Sequence, residues 1–358
     1  MTDDASGKVQ HPTLSTQHPT SSTLTRILQA MRDAFPATAD PAVAEYYQMM
    51  EYHLGWRDAG FAPIEGGTGK LIRPQLALLA CRALGGTEQQ ALPLAAALQM
   101  LHDFSLVHDD IEDHSEQRRG RPTLWRVWGL EVGINVGDGM FALAHRALYR
   151  LEDAGVDPVT VLAIMRGFEA TVLQLCEGQH LDMTGEGRFD VDEERYLRMI
   201  RGKTAALLAA ATGLGARLAT GNAAHVTAMR EFGEALGVAF QMRDDLLDIW
   251  GDPRHTGKPF AADLLQRKMS LPMIHAYANA GPERSTIERI YRGESVTEED
   301  VATLLAILEA TGSRTHVTLL ANHEHDRALA ALDRVTSVDP EALAGLREVA
   351  EGLLTRAH

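Results

Sequence analysis

Two short acidic segments carry residues whose type and spacing suit the binding of a metal ion. They read DDIED and DDLLD. Their six aspartates share one pattern, in which the first and last carboxylates stand four residues apart: Asp109, Asp110, Asp113, Asp244, Asp245 and Asp248. Each segment ends a stretch of helical periodicity, so these two carboxylates are expected on one face. Like charges at that spacing repel, and carboxylates oppose the dipole at a helix C-terminus. Both segments therefore predict a bound cation.

The donor type indicates which cation this is. Aspartate clusters without Cys or His partners favour hard cations, here Mg²⁺, with Mn²⁺ as the alternative. Mg²⁺ is commonly held by one or two protein carboxylates together with phosphate oxygens of a substrate. A single DDxxD is a weak signal, because acidic helix ends are common. Two such segments, each followed by basic residues, predict a site that holds a diphosphate through bridging Mg²⁺ ions.

Basic residues flank both acidic segments. Six of them are predicted to hold phosphate: Lys70, Arg73, Arg118, Arg119, Lys203 and Lys258. Arg meets phosphate through two parallel hydrogen bonds, and Lys acts as a point charge. Lys70 and Arg73, in GKLIRP, stand three residues apart and are expected on one face of a helix after a glycine-rich turn. The alternative for each is an ordinary surface cation, and their shared placement around the acids favours ligands.

Polar residues inside apolar helical stretches extend this set. His102 precedes Asp109 by seven residues, two turns back on nearly the same face, and is the one histidine we single out as a ligand. A satisfied core histidine is its alternative. Gln179 and Asp182, in GQHLD, add polar groups to an otherwise apolar helix.

Helices are the elements that must position these groups. Apolar residues recur at three- and four-residue steps from about residue 23 onward, most clearly in five stretches: 23–35, 41–56, 72–84, 88–113 and 225–250. No stretch predicts a convincing hairpin. Turn signals include RGRP at 119–122, and Thr297 with the acids after it predicts a capped helix start. We expect a disordered extension at 1–22 and one all-α domain at 23–358.

Composition narrows the class of partners and the compartment. The 358 residues carry a formal net charge of −15, which disfavours nonspecific nucleic-acid binding. No apolar run approaches the roughly 18–20 residues of a membrane span, and the N-terminus lacks the order of a signal peptide. The cytoplasm is therefore expected. Both cysteines, Cys81 and Cys176, lie in apolar helical contexts and are expected to be buried thiols.

These motifs together resemble the trans-polyprenyl diphosphate synthases, the isoprenoid chain-elongating enzymes. DDIED with its trailing RRG looks like the first aspartate-rich motif of that family, and FQMRDDLLDIWGDPRHTGK looks like the second. GKLIRP, GQHLD and the KTA at 203–205 also fit, so the resemblance runs from about Gly66 to the 320s or 330s. It implies a single-domain, isoprenoid-synthase-type helical bundle around a central cavity. It also implies a homodimer that uses Mg²⁺.

The resemblance implies a role for each site residue. The direct metal ligands would be Asp109, Asp113 and Asp244. Support, directly or through water, would come from Asp110, Asp182, Asp245 and Asp248. The allylic diphosphate would be held by Arg118, Lys203 and Lys258. Isopentenyl diphosphate would be held by Lys70, Arg73, His102 and Arg119. Thr204 and Gln241 would help to stabilise an allylic cation, and Gln179 would contact substrate.

The implied reaction lengthens a prenyl chain by one five-carbon unit. An allylic diphosphate ionises, isopentenyl diphosphate attacks the resulting cation, and a proton is lost. Phe104, beside the small Ser105, lies five residues before Asp109, about 7.5 Å along the helix axis. A bulky residue there resembles the short-chain enzymes that make geranylgeranyl diphosphate. Farnesyl diphosphate is the alternative product, and simple core packing is the alternative role for Phe104.

Two other activities are compatible with parts of this pattern. A class I terpene cyclase or a head-to-head condensing enzyme would share the fold, but a cyclase is expected to carry an Asn/Ser/Glu metal motif where this chain has DDLLD and TGK. A noncatalytic partner subunit is expected to lose one aspartate segment, and both are intact. The chain departs from the family pattern at Leu71, often Arg in relatives, and at Ala261, often Gly.

Overall fold

The computed structural model describes residues 21–64, 69–256 and 259–355, and helices build almost all of these ranges. The first group of elements is α1 (Ser21–Arg32), α2 (Pro41–His53), α3 (Ile72–Ala83), α4 (Glu88–Glu112), β1 (Gln117–Arg118), β2 (Arg121–Pro122), α5 (Leu124–Trp128), α6 (Leu130–Tyr149), α7 (Pro158–Gly185) and α8 (Glu193–Ile200). The prediction of an all-α protein is confirmed. The predicted extension at 1–22 lies outside the described residues except for Ser21 and Ser22, which begin α1.

A π-helix (Arg201–Ala205) follows α8 directly and separates it from the remaining helices. These are α9 (Ala206–Ala219), α10 (Ala223–Trp250), α11 (Pro253–Thr256), α12 (Ala262–Leu265), α13 (Leu271–Asn279), a 3₁₀ turn (Gly281–Glu283), α14 (Arg284–Tyr291), α15 (Glu298–Ala310), α16 (Ser313–Asp333) and α17 (Pro340–Thr355). The longest helices pack side by side: α10 lies against α9 and α16, α4 against α6, and α3 against α9. The main core fills the space between them, and two smaller clusters lie under α12–α16.

Side-chain caps fix the starts of several helices, including α4 and α15. The hydroxyl of Thr87 accepts from the Gln90 amide while the Gln90 side chain accepts from the Thr87 N–H, which fixes the start of the long helix α4. The predicted cap at Thr297 is confirmed, with Asp300 as its reciprocal partner. Such caps satisfy backbone donors that would otherwise lack partners.

A small hairpin lies where no hairpin is predicted. Strands β1 and β2 pair antiparallel, with Arg118 opposite Arg121. Arg119 (φ 53°) and Gly120 (φ 72°) form its turn, and positive φ at both central positions matches the twist of a two-residue hairpin. Each strand has only two residues, too few to show an alternating pattern. The predicted turn at 119–122 is confirmed.

Two further predictions are wrong for local reasons. Lys70 and Arg73 do not share a helix face, because α3 begins only at Ile72, after Leu71 takes a left-handed conformation (φ 47°). Lys70 lies exposed in the segment before the helix. Cys81 is buried as predicted, but Cys176 is exposed on α7.

Helix α7 is, by length and composition, long and apolar enough to cross a membrane. The sequence predicted no such helix. Its most apolar window has a mean hydropathy of 1.4, and 33% of that window is buried inside the protein. It is the one such helix among the described residues. A single helix of this kind is weak evidence, because core helices of globular proteins pass the same criterion.

Candidate active site

Three helical elements meet at Asp109, the first carboxylate of the first aspartate box (Asp109–Asp113). It lies near the C-terminus of α4, and its Oδ1 stands 3.7 Å from Nζ of Lys203 in the π-helix. The same ammonium donates to Oδ2 of Asp182 on α7 at 2.6 Å. The structure therefore brings together one predicted phosphate ligand and two predicted metal ligands from three separate parts of the chain.

The electrostatics of this group favour a further cation. Burial raises the pKa of Asp109 to about 6; Lys203 opposes this rise, whereas Asp113 and Glu112 add to it. Burial acts to lower the pKa of Lys203, but Asp109 and Asp182 together raise it above the ordinary value. Burial and the neighbouring carboxylates thus outweigh Lys203 and Arg118, and added positive charge would stabilise the ionised form of Asp109.

Glycines allow the π-helix to lie between the two boxes. A Cβ on Gly178 of α7 would stand 2.1 Å from the Lys203 backbone nitrogen, and one on Gly202 would stand 2.6 Å from the Gln174 carbonyl oxygen. On the other side, a Cβ on Gly237 of α10 would stand 2.5 Å from Cα of Ala205. Side chains at these positions would push α7 and α10 away, so the close approach depends on glycine. π-Helical turns occur frequently at functional sites.

The neighbour of Lys203 connects the same segment to the second aspartate box (Asp244–Asp248). The hydroxyl of Thr204 donates to Oε1 of Gln241 at 2.9 Å, and Nε2 of Gln241 lies 3.2 Å from Oδ1 of Asp245. Two consecutive residues of the π-helix therefore link the two boxes, Lys203 reaching the first and Thr204 the second. Thr204 and Gln241 were predicted together, and the structure places them in contact.

The middle aspartate of each box turns inward. Asp110 is 2% exposed and accepts from Nε of Arg118 at 2.9 Å through each oxygen, with Arg118 Nη2 2.8 Å from Oδ1. Asp245 is 4% exposed and accepts from the hydroxyl of Tyr196 and, at 3.1 Å, from the backbone N–H of Leu271. Burial raises the pKa of Asp245 to about 7 although these hydrogen bonds oppose the rise.

The outer aspartates are less enclosed than the inner ones. Asp113 is exposed where α4 ends, and Asp244 and Asp248 lie partly buried on α10. Within the described ranges, no three Asp, Glu, His or Cys side chains converge closely enough to hold a metal ion by themselves. The oxygen-only donor set nevertheless fits Mg²⁺, which takes one or two protein carboxylates and completes its shell with phosphate oxygens and water.

A second group of cations lies beside the first box. Arg73 and His102 are largely enclosed, and burial lowers the pKa of Arg73 to about 10 although Asp103 opposes this. Burial, then the charge of Arg73, holds the pKa of His102 well below its usual range, so this imidazole is neutral. Arg119 lies close by, its Nη2 3.7 Å from Oδ1 of Asp103. Lys258 lies outside the described residues.

Three remaining predicted residues have defined contacts. Gln179 donates to Oε2 of Glu112 at 2.5 Å, which ties α7 to α4 beside the first box. The hydroxyl of Ser105 donates to the His102 carbonyl at 2.8 Å. Phe104 is partly buried and meets the ring of Phe141 on α6 with centroids 5.0 Å apart. Their roles in binding and product length stay predictions.

Two cavities flank this region. The smaller, about 50 Å³, lies under the hairpin and is lined by residues that include His53, Asp110, Arg118 and Arg119. The larger, about 1050 Å³, lies chiefly between α7 and α9, and its lining includes none of the predicted site residues.

Sequence reasoning missed several residues that hold the site together. Tyr196 gives no local signal, because its partner Asp245 lies 49 residues away. Glu112, inside DDIED, was available but unassigned. Asp103 did carry a signal, since this carboxylate beside His102 interrupts an apolar run and accepts from Gln99, another polar residue of that run. His53, at the end of α2, could be found only from the structure.

The chain is similar in sequence and in structure to several known proteins. The geranylgeranyl diphosphate synthase of Mycobacterium tuberculosis is 40% identical over 300 residues, which cover 83% of this chain and 85% of that protein. The (2E,6E)-farnesyl diphosphate synthase of Mycobacterium bovis is 34% identical over 337 residues, 93% of this chain and 90% of that protein. The polyprenyl synthetase structure from Streptomyces coelicolor A3(2) aligns with a TM-score of 0.84 and 34% identity, covering 93% of this chain and 98% of that one.

The family model described as polyprenyl synthetase matches residues 62–308, a span that contains both aspartate boxes and the π-helix. The match agrees with the helical architecture of the chain and with the length over which the relatives align to it. The predicted isoprenoid-synthase-type fold and the predicted prenyltransferase class are confirmed. The chain belongs to the polyprenyl synthetase family.

Proposed function

We propose that this chain is a chain-elongating prenyltransferase that condenses isopentenyl diphosphate with an allylic diphosphate and gives geranylgeranyl diphosphate. The observation that supports this best is the π-helix between the two boxes. Lys203 contacts Asp109 and Asp182 on one side, and Thr204 reaches Asp245 through Gln241 on the other. One diphosphate placed beside Lys203 would lie within reach of both boxes.

The first step needs the departing diphosphate to be stabilised. Asp109, Asp113, Asp182, Asp244 and Asp248 would hold Mg²⁺, or Mn²⁺, which when bound supplies positive charge for the diphosphate oxygens. Lys203, Arg118 and Lys258 add fixed positive charge, and the contact of Arg118 with Asp110 fixes its orientation before substrate arrives. The bond between the allylic C1 and oxygen breaks, and the electron pair leaves with the diphosphate. Thr204 and Gln241 would turn oxygen dipoles toward the allylic cation.

The second substrate needs a separate diphosphate subsite. Arg73 and Arg119, together with Lys70 and neutral His102, would form this subsite beside the first box. The double bond of isopentenyl diphosphate attacks allylic C1, a carbon–carbon bond forms, and a proton leaves the adjacent carbon for the released diphosphate. Net charge is conserved, and no side-chain base is required. The Gln179–Glu112 contact would brace the substrate-binding end of α7.

Product length would be set by aromatic rings beside α4. The ring of Phe104 meets Phe141 on α6, and Phe141 lies 4.5 Å from the ring of His145, centroid to centroid. Nε2 of His145 in turn lies 2.7 Å from Oε1 of Glu169 on α7, and this contact joins α6 to α7. This series of rings would close the space below Ser105 and stop the tail at C20. Farnesyl diphosphate is the alternative, because a C15 tail would stop one unit earlier.

A homodimer is the assembly we propose. Helix α7 exposes Leu162 (49%), Leu173 (64%) and Met183 (52%) on one side, which also carries Cys176. Large apolar side chains exposed on one side of a helix favour an interaction site there. Equilibrium sedimentation would test it: we expect a dimer, and a monomer for Leu173→Glu. The acidic surface fits a cytoplasmic enzyme without nucleic-acid partners.

Product sizing tests the proposed activity. Purified protein would be incubated with Mg²⁺, labelled isopentenyl diphosphate and, in turn, dimethylallyl, geranyl or farnesyl diphosphate, followed by dephosphorylation and chromatography of the alcohols. We expect a C20 alcohol, and longer alcohols from Phe104→Ala. A C15 limit would assign farnesyl diphosphate instead. No product from any starter would contradict catalysis and favour a noncatalytic partner subunit, and a cyclic hydrocarbon would favour a cyclase.

A further inference from the structure

A buried carboxylate stands among the cations of the second diphosphate subsite. Asp103 on α4 is 2% exposed and lies next to His102 in the sequence. Its Oδ2 accepts from Nε2 of Gln99 at 2.8 Å. Its Oδ1 has no hydrogen-bond partner among the described residues and faces two groups at 3.7 Å, Nε2 of His53 and Nη2 of Arg119.

The position of Asp103 needs a reason beyond packing. A carboxylate buried without compensating charge is strongly unfavourable. Burial acts to raise the pKa of Asp103, but contact with His53 and the charge of Arg119 help to lower it overall, so the group stays ionised. One oxygen of this carboxylate, Oδ1, faces His53 and Arg119. The other, Oδ2, accepts a hydrogen bond from Gln99, which fixes the orientation of the side chain.

Arg119 is the member of the cluster that most needs a neighbouring charge to hold its side chain in one orientation. It occupies the hairpin turn with φ 53°, and one third of its side chain is exposed. Its guanidinium lies against Gly69, where an added Cβ would stand 3.6 Å from Nη2. A long side chain on an exposed turn loses considerable rotamer freedom when it is held in one place. An opposite charge that already holds the guanidinium before the ligand binds reduces this entropy cost of binding.

We propose that Asp103, backed by His53, is a positioning residue that holds Arg119 for the diphosphate of isopentenyl diphosphate. This inference rests on the proposed function, which assigns that substrate to the subsite. Asp103 does not touch the diphosphate, because its oxygens are engaged by Gln99 on one side and face the cations on the other. Its effect is confined to this subsite, since the described contacts of Lys203 and Arg118 do not include it.

The test is isothermal calorimetry of isopentenyl diphosphate binding to the full chain, without Mg²⁺ or an allylic substrate. Asp103→Asn keeps the size of the side chain and an oxygen for Gln99, but removes the charge facing Arg119. We expect it to weaken binding about tenfold, the equivalent of one charge-assisted contact. In steady state, KM for isopentenyl diphosphate should rise by a similar factor, while KM for the allylic substrate and kcat stay near the wild-type values.

The matched control is Asp339→Asn, which removes the charge from another Asp–Arg pair, 2.8 Å from Arg82 and far from the subsite in sequence. It should leave binding of isopentenyl diphosphate unchanged. Thermal unfolding of both variants identifies any general loss of structure. His53→Gln should weaken binding in the same direction as Asp103→Asn, by a smaller factor.

A double-mutant cycle decides whether Asp103 acts through Arg119. In an Arg119→Gln background, Asp103→Asn should have little further effect on the affinity, because its target is gone. A full tenfold effect in that background would overturn the proposal, as would wild-type affinity in Asp103→Asn alone. An inactive wild-type protein would contradict the proposed function, whereas the calorimetric comparison would still decide the role of Asp103.

Discussion

Asp110 and Asp245 occupy the same place in the two aspartate boxes, and both are buried, but their partners differ in charge. Asp110 pairs with the guanidinium of Arg118, which arrives from the hairpin directly after the box. Asp245 accepts hydrogen bonds from Tyr196, Gln241 and the backbone of Leu271, which are neutral. The first inner carboxylate is compensated by a full charge and the second by dipoles.

The difference shows that one sequence motif can be anchored by two kinds of chemistry. In both boxes the inner aspartate is buried against its partners, and the outer pair, four residues apart, is less enclosed. Asp110 pairs with a full positive charge, whereas burial raises the pKa of Asp245 to about 7 although its neutral hydrogen-bond donors oppose the rise. The boxes should therefore differ in their response to amide substitution and to pH.

The largest expected effect is the loss of turnover when an outer aspartate of either box is replaced; this distinguishes the outer from the inner aspartates. Asp109→Asn and Asp244→Asn should each lower kcat by about 10²–10³-fold, since each removes one preorganised charge at the leaving diphosphate. Their unfolding free energies should stay within about 1 kcal/mol of wild type, because neither is one of the buried inner aspartates, Asp110 and Asp245, that anchor the boxes. Steady-state kinetics and denaturant titration check the two statements. Wild-type turnover in either variant would remove that residue from the metal site.

The next effect compares the two anchors directly. Asp110→Asn should cost about 1–3 kcal/mol of unfolding free energy, because Arg118 loses its charged acceptor. Asp245→Asn should cost under about 1 kcal/mol, because an amide resembles the protonated acid that a pKa near 7 already populates. Urea unfolding of both variants at pH 7 gives the comparison. Equal costs would contradict the distinction between a charged and a neutral anchor.

The pH dependence of stability sharpens the same contrast. The pKa of Asp245 is raised in the folded state, so between about pH 4 and 7 the folded protein binds more protons than the unfolded chain. Stability supplied by this group is therefore present at low pH and is lost as pH rises through about 7. Asp109, with a pKa raised to about 6, adds to the same trend. In EDTA, unfolding free energies from pH 5 to 8 should decline less in Asp245→Asn than in wild type; parallel curves would contradict this.

The smallest expected effect concerns the loops that follow the boxes. Both contain left-handed residues, Arg119 (φ 53°) after the first box and Ala261 (φ 56°) after the second. Glycine adopts this conformation without the steric cost to Cβ. Ala261→Gly should raise stability by up to about 1 kcal/mol, measured by urea unfolding. A clear loss of stability would show that the packing of the Ala261 methyl outweighs its backbone strain.

Sequence patterns predicted the parts of this site that depend on local spacing. The i, i+4 arrangement of Asp109 and Asp113, the cap at Thr297 and the turn at 119–122 follow from neighbours in the chain. The partners of the inner aspartates do not, because Tyr196 reaches Asp245 from a different helix. Lys70 was placed wrongly because a single left-handed residue, Leu71, delays the start of α3.

The π-helix illustrates what remained beyond sequence reasoning. The KTA at 203–205 signalled a functional segment, but its geometry depends on glycines of α7 and α10 that come into register only after folding. Gly178 and Gly237 are ordinary glycines in helical stretches when read alone. Their contribution is the space that lets one turn contact both boxes.

The central claim is that both boxes act on one diphosphate, and a double-mutant cycle of the Mg²⁺-dependent condensation rate tests it most directly. Labelled isopentenyl diphosphate incorporation would be measured for wild type, Asp109→Asn, Asp244→Asn and the double variant. Residues that act as a unit lose most of their contribution when either is removed. We predict that the double variant is little slower than the slower single variant. A double variant slower by the full product of the two single effects would show that the boxes act independently and would contradict this account.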